Sequence, residues 1–144
     1  MASPREPRVS YVIARLERAL RRELGERIQP HGLTVPQYTT LSVLRSRSGL
    51  SNAQLARRSY ITPQTMSEVI VALEDKGLVE RAPDPGHRRI LRIKVTPKGR
   101  RVMARCDAAV EEMEEQMLAE LAGDERDALI NALRSCVHQL GAGL

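Results

Sequence analysis

Apolar residues recur every third or fourth position through much of the chain, which is the period of amphipathic helices. Between residues 9 and 28 they are separated by arginines and predict one long helix. Two capping-box pairs follow, Thr34 with Gln37 and Ser51 with Gln54, and each predicts the start of a further helix. The second of these helices is expected to be short.

A fourth helix is predicted from Thr62 to Lys76, with Thr62 as the N-cap and Pro63 at the first helical position, where its missing N–H costs least. Its apolar stripe is expected to face the core, whereas its outward face carries short polar side chains and an amide. Such groups are able to face the base edges of DNA. The inward stripe is Met66, Val69, Ile70 and Leu73, and the outward set is Gln64, Thr65, Ser67, Glu68 and Val71.

The hydrophobic period changes after the fourth helix, where alternating residues predict two strands at 78–81 and 91–95. The connecting segment contains Asp-Pro-Gly-His at residues 84–87, which favours a type II turn with a positive φ at Gly86. A β-hairpin with two arginines beside its tip is therefore expected.

Two more helices are predicted in the last third of the chain. Thr96 and Pro97 mark the start of a long helix whose apolar stripe continues to Leu121, and Gly123 separates it from a final helix. The sequence contains no internal repeat and no long linker. These patterns favour a single domain over residues 1–144, mainly α with a small β-hairpin.

Lysine and arginine are concentrated in the middle of the 144-residue chain, whose formal net charge is +5. Residues 45–105 hold 14 Lys or Arg against 5 Asp or Glu, whereas residues 106–127 hold 1 against 9. Folding either gathers the basic block on one face, as phosphate binding requires, or disperses it over the surface.

Composition disfavours several classes of protein. Arginines interrupt any secretion-signal pattern near the N-terminus, and no apolar run approaches the roughly 18 residues of a membrane span, so a cytoplasmic location is expected. Three tyrosines are the only aromatic residues, which disfavours stacking of unpaired bases and favours duplex DNA. Motifs for catalysis or cofactor binding and the ligand spacing of a metal site are not found, so no enzyme, cofactor or metal is expected.

The order of the predicted elements resembles the MarR family of bacterial winged helix-turn-helix regulators over nearly the whole chain. Local matches lie in the second and third predicted helices, at residues 33–41 and 50–56. The most specific match starts with residues 73–81 (LEDKGLVER) and continues through Asp84-Pro85, Arg88-Arg89 and Thr96-Pro97-Lys98-Gly99.

The resemblance implies that helix 62–76 is a recognition helix in the major groove and that the hairpin reaches towards the neighbouring minor groove. Gln64 is then able to pair bidentately with adenine; the alternative is that it only bonds locally at the helix start. Thr65 and Ser67 either bond to base edges or face solvent. The predicted DNA-binding residues are Arg57, Arg58, Thr62, Gln64, Thr65, Ser67, Arg88 and Arg89.

The arginines of this set have separate expected roles. Arg57 and Arg58 either meet phosphates or form an ordinary solvated helix end. The resemblance places the wing arginine of the family at Arg89, which a narrow A/T-rich minor groove attracts, while Arg88 serves the DNA backbone. His87 stands where many members carry an Asp, so the family's usual Asp–Arg contact lacks its Asp at this position. We expect His87 to be an exposed turn residue, the alternative being a pH-sensitive DNA contact.

The resemblance also implies a homodimer on a palindromic operator, with repression as the usual outcome in the family. The first helix and the last two carry more apolar surface than one small winged helix can bury, which is consistent with a shared dimer core. The expected organisation is a winged helix-turn-helix at residues 34–95 with dimerisation helices at 9–30 and 96–142. A winged helix that docks an acidic protein partner is the alternative.

Two modes of regulation are open. Members of the family commonly sense small aromatic or phenolic anions, and Tyr11 and Tyr38 either line such a cleft here or are packing residues. The other mode is thiol-based redox sensing. Cys106 and Cys136 both lie within apolar stripes, so inert packing is expected of them rather than oxidation.

Overall fold

The computed structural model describes residues 6–141, and this part of the chain contains six α-helices and one two-stranded antiparallel sheet. The predicted class, mainly α with one hairpin, is confirmed. Residue 142, the predicted end of the last dimerisation segment, lies outside the described residues. In chain order the elements are α1 (Val9–Ile28), a short 3-10 turn (Gln29–His31), α2 (Val35–Ser46), α3 (Asn52–Arg58), α4 (Pro63–Asp75), β1 (Val79–Pro83), β2 (Leu91–Val95), α5 (Pro97–Met117) and α6 (Gly123–Gln139).

The chain divides into two compact units after Val110. The first unit holds all elements from α1 to β2 together with the beginning of α5, and the second holds the end of α5 and α6. The helix-turn-helix and the hairpin therefore belong to the same unit. Within residues 6–141, no helix has the length and hydrophobicity needed to cross a lipid bilayer.

Helices α2 and α3 begin at the predicted capping boxes. The hydroxyl of Thr34 accepts a hydrogen bond from the backbone N–H of Gln37 at 3.4 Å, and Gln37 Oε1 accepts one from the backbone N–H of Thr34 at 3.1 Å. Ser51 and Gln54 form the same reciprocal pair at 3.3 and 2.9 Å. Each box satisfies two backbone N–H groups that the helix cannot, and the loss of such a cap typically costs about 1 kcal/mol.

The core of the first unit forms where α2, α3, α4 and the sheet meet. Helix α4 buries three of the four residues of its predicted inward stripe completely, and Val69 is half-buried. Burial of this stripe fixes the rotation of α4 about its axis, and its polar face is therefore directed into solvent. The fully buried core residues include Leu41, Leu44, Leu55, Met66, Ile70, Leu73, Ile93 and Met103.

The C-terminal end of α4 is tied to the region before α2. Lys76 Nζ donates to the carbonyl oxygen of Gly32 at 2.6 Å and to Gln37 Oε1 at 3.0 Å. Lys98 Nζ in turn donates to the carbonyl oxygen of Lys76 at 3.0 Å. Since Gln37 also closes the capping box of α2, one side chain links the start of α2 to the end of α4. Both ends of α4 are thus held, at Thr62 by the cap and at Lys76 by these bonds.

The hairpin strands differ slightly from the prediction. Strand β1 begins one residue later than predicted and extends to Pro83, while β2 spans the predicted 91–95. The strands pair antiparallel, from Val79 opposite Val95 to Pro83 opposite Leu91. Together β1, the loop and β2 form a wing, residues 79–95. An additional backbone bridge between Leu50 and Ile93 joins the wing to the segment before α3.

The predicted type II turn at residues 84–87 is wrong. Gly86 does not have a positive φ; instead its backbone N–H donates to Asp84 Oδ1 at 2.7 Å. The aspartate side chain thus supplies the local acceptor that a turn carbonyl supplies in type II geometry. The tight turn comes later, where the N–H of Ile90 donates to the carbonyl of His87 at 2.9 Å. Its two central residues are Arg88 and Arg89.

Helix α5 ends at Met117, four residues before the predicted limit at Leu121. The side chain of Arg126 donates to the carbonyl oxygens of Leu118 at 3.1 Å and Leu121 at 3.2 Å, and it also pairs with Glu115 at 3.0 Å. The Leu118 carbonyl also accepts from the backbone N–H of Leu121 at 2.9 Å, so the bonds from Arg126 add to a backbone turn that follows α5. They hold the turn between α5 and α6 within the second unit.

Candidate nucleic-acid interface

The first turns of α4 present polar side chains to solvent. Gln64, Thr65, Ser67 and Glu68 are all exposed, whereas Met66 between them is fully buried. Residues three and four apart share one face of a helix, so Gln64, Ser67 and Glu68 form a continuous exposed patch. This arrangement matches the predicted outward face.

Several hydroxyl groups on this side of α4 bond within the chain. Thr62 Oγ1 accepts from the backbone N–H of Thr65 at 3.1 Å and donates to Thr65 Oγ1 at 2.9 Å. Ser67 Oγ donates to the carbonyl oxygen of Pro63 at 2.9 Å. The lone pairs of Ser67 Oγ remain available as acceptors, since only its proton is used here. Thr62 therefore acts in the free chain as the helix cap.

The side-chain amide of Gln64 differs from these hydroxyls because it forms no hydrogen bond with any described residue. It lies in the first turn of α4 and carries one donor group and one acceptor group on a single plane. The alternative expected for Gln64 was a local bond at the helix start. That bond is made by Thr62 instead. The amide is thus free to make a paired contact with an external partner.

The start of α4 is also fixed to α3 by a bond that the sequence patterns do not single out. Asn52, the first residue of α3, donates through Nδ2 to the carbonyl oxygen of Pro63 at 3.0 Å. Pro63 is thereby the acceptor for both Asn52 and Ser67. Nothing in the local sequence around Asn52 indicates this contact, because its partner lies eleven residues away.

Four predicted arginines lie on exposed segments of the same unit. Arg57 and Arg58 end α3, and Arg88 and Arg89 occupy the turn of the wing. Within residues 6–141, none of the four guanidinium groups pairs with a carboxylate. Their charge is therefore not neutralised inside the chain, as a surface that meets phosphate groups requires.

The wing contains an Asp–Arg contact between Asp84 and Arg92. Arg92 Nε donates to Asp84 Oδ2 at 2.7 Å, and Arg92 Nη1 donates to the carbonyl oxygen of Gly49 at 2.8 Å. The backbone N–H of Gly86, followed by the Arg92 guanidinium, holds the pKa of Asp84 below its usual range. His87 is exposed in the turn, as expected. The Asp84–Arg92 contact thus steadies the wing.

Tyr38 and Tyr11, the predicted ligand-binding residues, have different environments. The hydroxyl of Tyr38 donates to Asp107 Oδ1 at 2.6 Å, and Asp107 also pairs with Arg45. Burial, and then the bond to Asp107, raise the pKa of Tyr38 above its usual range. Tyr11 is 58% exposed, with the guanidinium carbon of Arg15 at 6.0 Å from the centre of its ring.

An apolar groove of about 260 Å³ lies along α1, beside the start of α2. Neither tyrosine lines it. The structure therefore does not place Tyr11 and Tyr38 together in this groove, and their role in ligand binding stays a prediction. The lining residues are Ile13, Leu16, Glu17, Leu20, Arg21, Leu24 and Val35.

The two cysteines differ from each other. Cys106 is fully buried, as predicted, and burial raises the pKa of its thiol, which disfavours the reactive thiolate. The prediction that Cys136 packs in the same way is wrong for the single chain, because Cys136 is exposed on α6. It lies one position before Val137, which belongs to the half-buried stripe of that helix. Among the described residues, no group of His, Cys, Asp or Glu is arranged to hold a metal ion.

Comparison with known proteins identifies the family. The sequence profile of the MarR family matches residues 31–90. The HTH-type transcriptional repressor Rv2887 of Mycobacterium tuberculosis is 35% identical over 118 residues, which make up 82% of this chain and 85% of that protein.

Solved structures of transcriptional regulators superpose closely on this chain. The transcriptional repressor CouR bound to a 23-mer DNA duplex superposes with a TM-score of 0.80 at 29% identity, covering 90% of this chain and 92% of that one. Rv2887 superposes with a TM-score of 0.77 in its complex with DNA, at 31% identity and covering 91% of this chain and 98% of that one. In its complex with salicylic acid the TM-score is 0.74, at 32% identity and covering 91% and 97%. This chain belongs to the MarR family of bacterial transcriptional regulators, which bind DNA and are not enzymes.

Proposed function

We propose that the chain represses transcription as a homodimer that binds a palindromic operator in double-stranded DNA through α4 and the wing. The observation that carries this proposal is the exposed polar face of α4, where the Gln64 amide is free of bonds to described residues. A planar amide in this position is able to pair bidentately with N6 and N7 of adenine in the major groove. Since the proposed partner is the chromosome of a bacterium, the proposed site of action is the cytoplasm.

We propose separate roles for the predicted residues: some contact bases, and others position α4 or contact the DNA backbone. Gln64, Thr65 and Ser67 are proposed to read base edges. Thr62 is proposed to hold the first turn of α4 close to the DNA, and its bonds to Thr65 support a positioning role. Arg57, Arg58 and Arg88 are proposed to contact phosphates and Arg89 to enter the minor groove, because their guanidinium groups are exposed and unpaired among the described residues.

Dimerisation is proposed because α1 exposes an apolar face. Val9, Val12 and Ile13 are 72%, 49% and 40% exposed in the single chain, and the face continues into the groove along α1. We propose that segments 9–30 and 96–142 form the dimer and that segment 34–95 binds DNA. Two recognition helices about 34 Å apart, roughly one turn of DNA, would then read the two half-sites.

Release by a small aromatic anion is proposed as the regulatory step. Its support is the salicylic acid complex of Rv2887, together with a tyrosine, Tyr11, beside a guanidinium group in this chain. Tyr38 is proposed as the second aromatic residue of that site. Salicylic acid is expected to raise the melting temperature and to weaken operator binding. A titration that changes neither quantity would remove this proposal while leaving DNA binding untouched.

The test of DNA binding is a fluorescence-anisotropy titration of the full chain against the duplex upstream of its own gene, at two salt concentrations, with scrambled duplex as a competitor. Gln64→Ala is expected to cost about 1–3 kcal/mol of selectivity. Arg89→Ala is expected to weaken binding and to reduce its salt dependence by about one ion. The matched control is Arg8→Ala, which removes the same charge from an exposed position outside the segments proposed to bind DNA or to form the dimer.

The titrations distinguish DNA readout from docking of an acidic protein partner, provided that each variant keeps the dimer mass of wild type. Selective binding that both interface variants weaken and the control preserves would support the proposal. Binding no better than to scrambled DNA, unchanged by Gln64→Ala and Arg89→Ala, would overturn the proposed readout at that operator. An interaction with an acidic protein partner would then be sought.

A further inference from the structure

We propose that Glu68 determines base specificity by accepting a hydrogen bond from the N4 amino group of a cytosine in each half-site. The proposal rests on the proposed function, since it requires α4 to lie in the major groove. It adds a residue outside the predicted DNA-binding set and a base identity for the operator.

The position of Glu68 on α4 suits a contact with bases. It is exposed and follows Gln64 by four residues, so the two side chains are neighbours on one face of the helix. One helical turn rises roughly 5.4 Å, against roughly 3.4 Å between successive bases. Gln64 and Glu68 are therefore spaced to address bases one or two steps apart in the same half-site.

Glu68 has no structural task within the described part of the chain. Among residues 6–141, its carboxylate forms no ion pair and no hydrogen bond. The next glutamate of α4, Glu74, shows the contrast, because Arg81 donates to both of its oxygens at 2.9 and 3.2 Å. The intrachain charge pairing that explains Glu74 does not account for Glu68.

Glu68 is an isolated acidic residue in the helix-turn-helix sequence, and along α4 its acidic neighbour on the same surface is Asp75, two turns away. From residue 27 to residue 73 it is the only Asp or Glu in the sequence, and Arg57 and Arg58 lie in the preceding helix. A carboxylate on a surface that approaches phosphates weakens binding to every DNA sequence, because like charges repel and the carboxylate loses water. This cost is offset only where the bases supply a hydrogen-bond donor.

The major groove offers two such donors, the amino groups of cytosine and adenine. Adenine presents the acceptor N7 beside its N6 amino group. N7 repels a carboxylate, whereas the donor and acceptor together suit the amide of Gln64. The N4 amino group of cytosine has one neighbouring acceptor, O6 of the paired guanine, whereas the N6 amino group of adenine lies between two, its own N7 and O4 of the paired thymine. The chemistry of Glu68 therefore selects cytosine, and the residue discriminates by penalising sites that lack it.

The experiment is a selection of binding sites from a randomised duplex library with the full chain, followed by titrations of the selected site and of scrambled DNA. Wild type is compared with Glu68→Gln, which keeps the shape, and with Glu68→Ala. The control is Glu6→Gln, which removes one negative charge from an exposed position before α1, outside the segments proposed to bind DNA or to form the dimer. Circular dichroism and mass measurement establish that each variant is folded and dimeric.

Wild type and Glu6→Gln are expected to select a cytosine at one position of each half-site. Glu68→Ala is expected to lose that preference and to bind the selected site about ten-fold more weakly, while binding scrambled DNA more tightly than wild type. Glu68→Gln is expected to shift the preference towards adenine, which an amide reads.

Two results would contradict the proposal and are distinguishable from each other. If wild type selects a motif and both Glu68 variants select the same bases at every position, Glu68 has no role in specificity, although the proposed function stands. If wild type selects no motif at all, the proposed function fails and the assignment of Glu68 fails with it.

Discussion

Arg92 joins the wing to the loop before α3 by bonding simultaneously to Asp84 and to Gly49. Its Nε donates to Asp84 Oδ2 at 2.7 Å and its Nη1 to the carbonyl oxygen of Gly49 at 2.8 Å. The backbone bridge from Leu50 to Ile93 lies beside this contact. The wing arginines are therefore carried on a segment that is anchored on two sides, by side chains and by backbone.

The first prediction concerns this anchor. Arg92→Met keeps much of the side-chain length but removes both bonds, and we expect faster backbone amide exchange in residues 84–92, since a fork of fixed hydrogen bonds is lost. Operator binding should weaken by less than in Gln64→Ala, because no contact with DNA is removed. Hydrogen exchange followed by mass spectrometry measures the first effect. Exchange identical to wild type would show that the backbone bridge alone holds the wing.

The second prediction concerns acid stability. Burial raises the pKa of Asp107, but hydrogen bonds from Arg45 and Tyr38 outweigh it, so the pKa lies below its usual range. The stabilisation is present above the unfolded pKa of about 3.9 and is lost as the pH falls through the folded value. Stability should therefore decline below about pH 4. Urea unfolding at successive pH values should show a shallower decline for Asp107→Asn; an unchanged slope would contradict the assignment.

The third prediction concerns the alkaline side of the same contact. The pKa of Tyr38 is raised because burial, and then the bond to Asp107, favour the neutral phenol. Its contribution to stability is complete below the ordinary tyrosine pKa of about 10 and is lost as the pH rises through the folded value. Tyrosinate absorbance should therefore contain a component that titrates late, and Tyr38→Phe should remove it. A late component that survives in this variant would belong to another tyrosine.

The fourth prediction uses a close backbone approach. A Cβ added at Gly99 would lie 2.2 Å from the carbonyl oxygen of Leu78 and 2.8 Å from Val95 Cγ1. Because backbone has to shift to admit it, Gly99→Ala should lower the free energy of unfolding by about 3 kcal/mol or more. Gly123→Ala is the matched control, since a Cβ added there would meet no atom within 4 Å. Equal urea midpoints for the two variants would contradict this prediction.

Local signals predicted much of this fold, and contacts between distant residues account for most of the rest. The starts of α2 and α3 were predictable because each cap and its partner lie three residues apart. The end of α5 was not, because Arg126, which bonds to the carbonyl of Leu118 in the turn after the helix, lies eight residues further along the chain. In the turn of the wing, the sequence favoured a positive φ at Gly86. The observed geometry depends instead on the hydrogen bond that the Asp84 side chain accepts from the backbone N–H of Gly86.

The candidate site likewise combines local features that were predictable from the sequence with long-range contacts that were not. The polar face of α4 was predictable because its helical period and its apolar stripe are both local. The link from Arg92 to Gly49 was not, because 43 residues separate the partners and neither carries a motif. The same applies to Tyr38 and Asp107, which are 69 residues apart. Both contacts depend on the packed arrangement of elements rather than on any one segment.

The last prediction concerns the apolar face of α1. Leu16 is 36% exposed in the single chain and lines the groove along α1. If this face is the dimer contact, Leu16→Glu buries an unpaired carboxylate there and should shift the mass in light scattering from two 16.1 kDa chains towards one. Ala14→Glu adds the same charge on the other side of the helix and should leave the dimer intact.

The DNA affinities of Leu16→Glu and Ala14→Glu provide a second test of the dimer contact. A single chain reaches one half-site, so Leu16→Glu should bind the full operator roughly 100-fold more weakly, whereas a duplex with only one half-site should lose much less affinity. This difference separates loss of the dimer from damage to α4, which would weaken both duplexes alike. A Leu16→Glu chain that remains dimeric and binds the full operator normally would place the dimer contact on other surfaces.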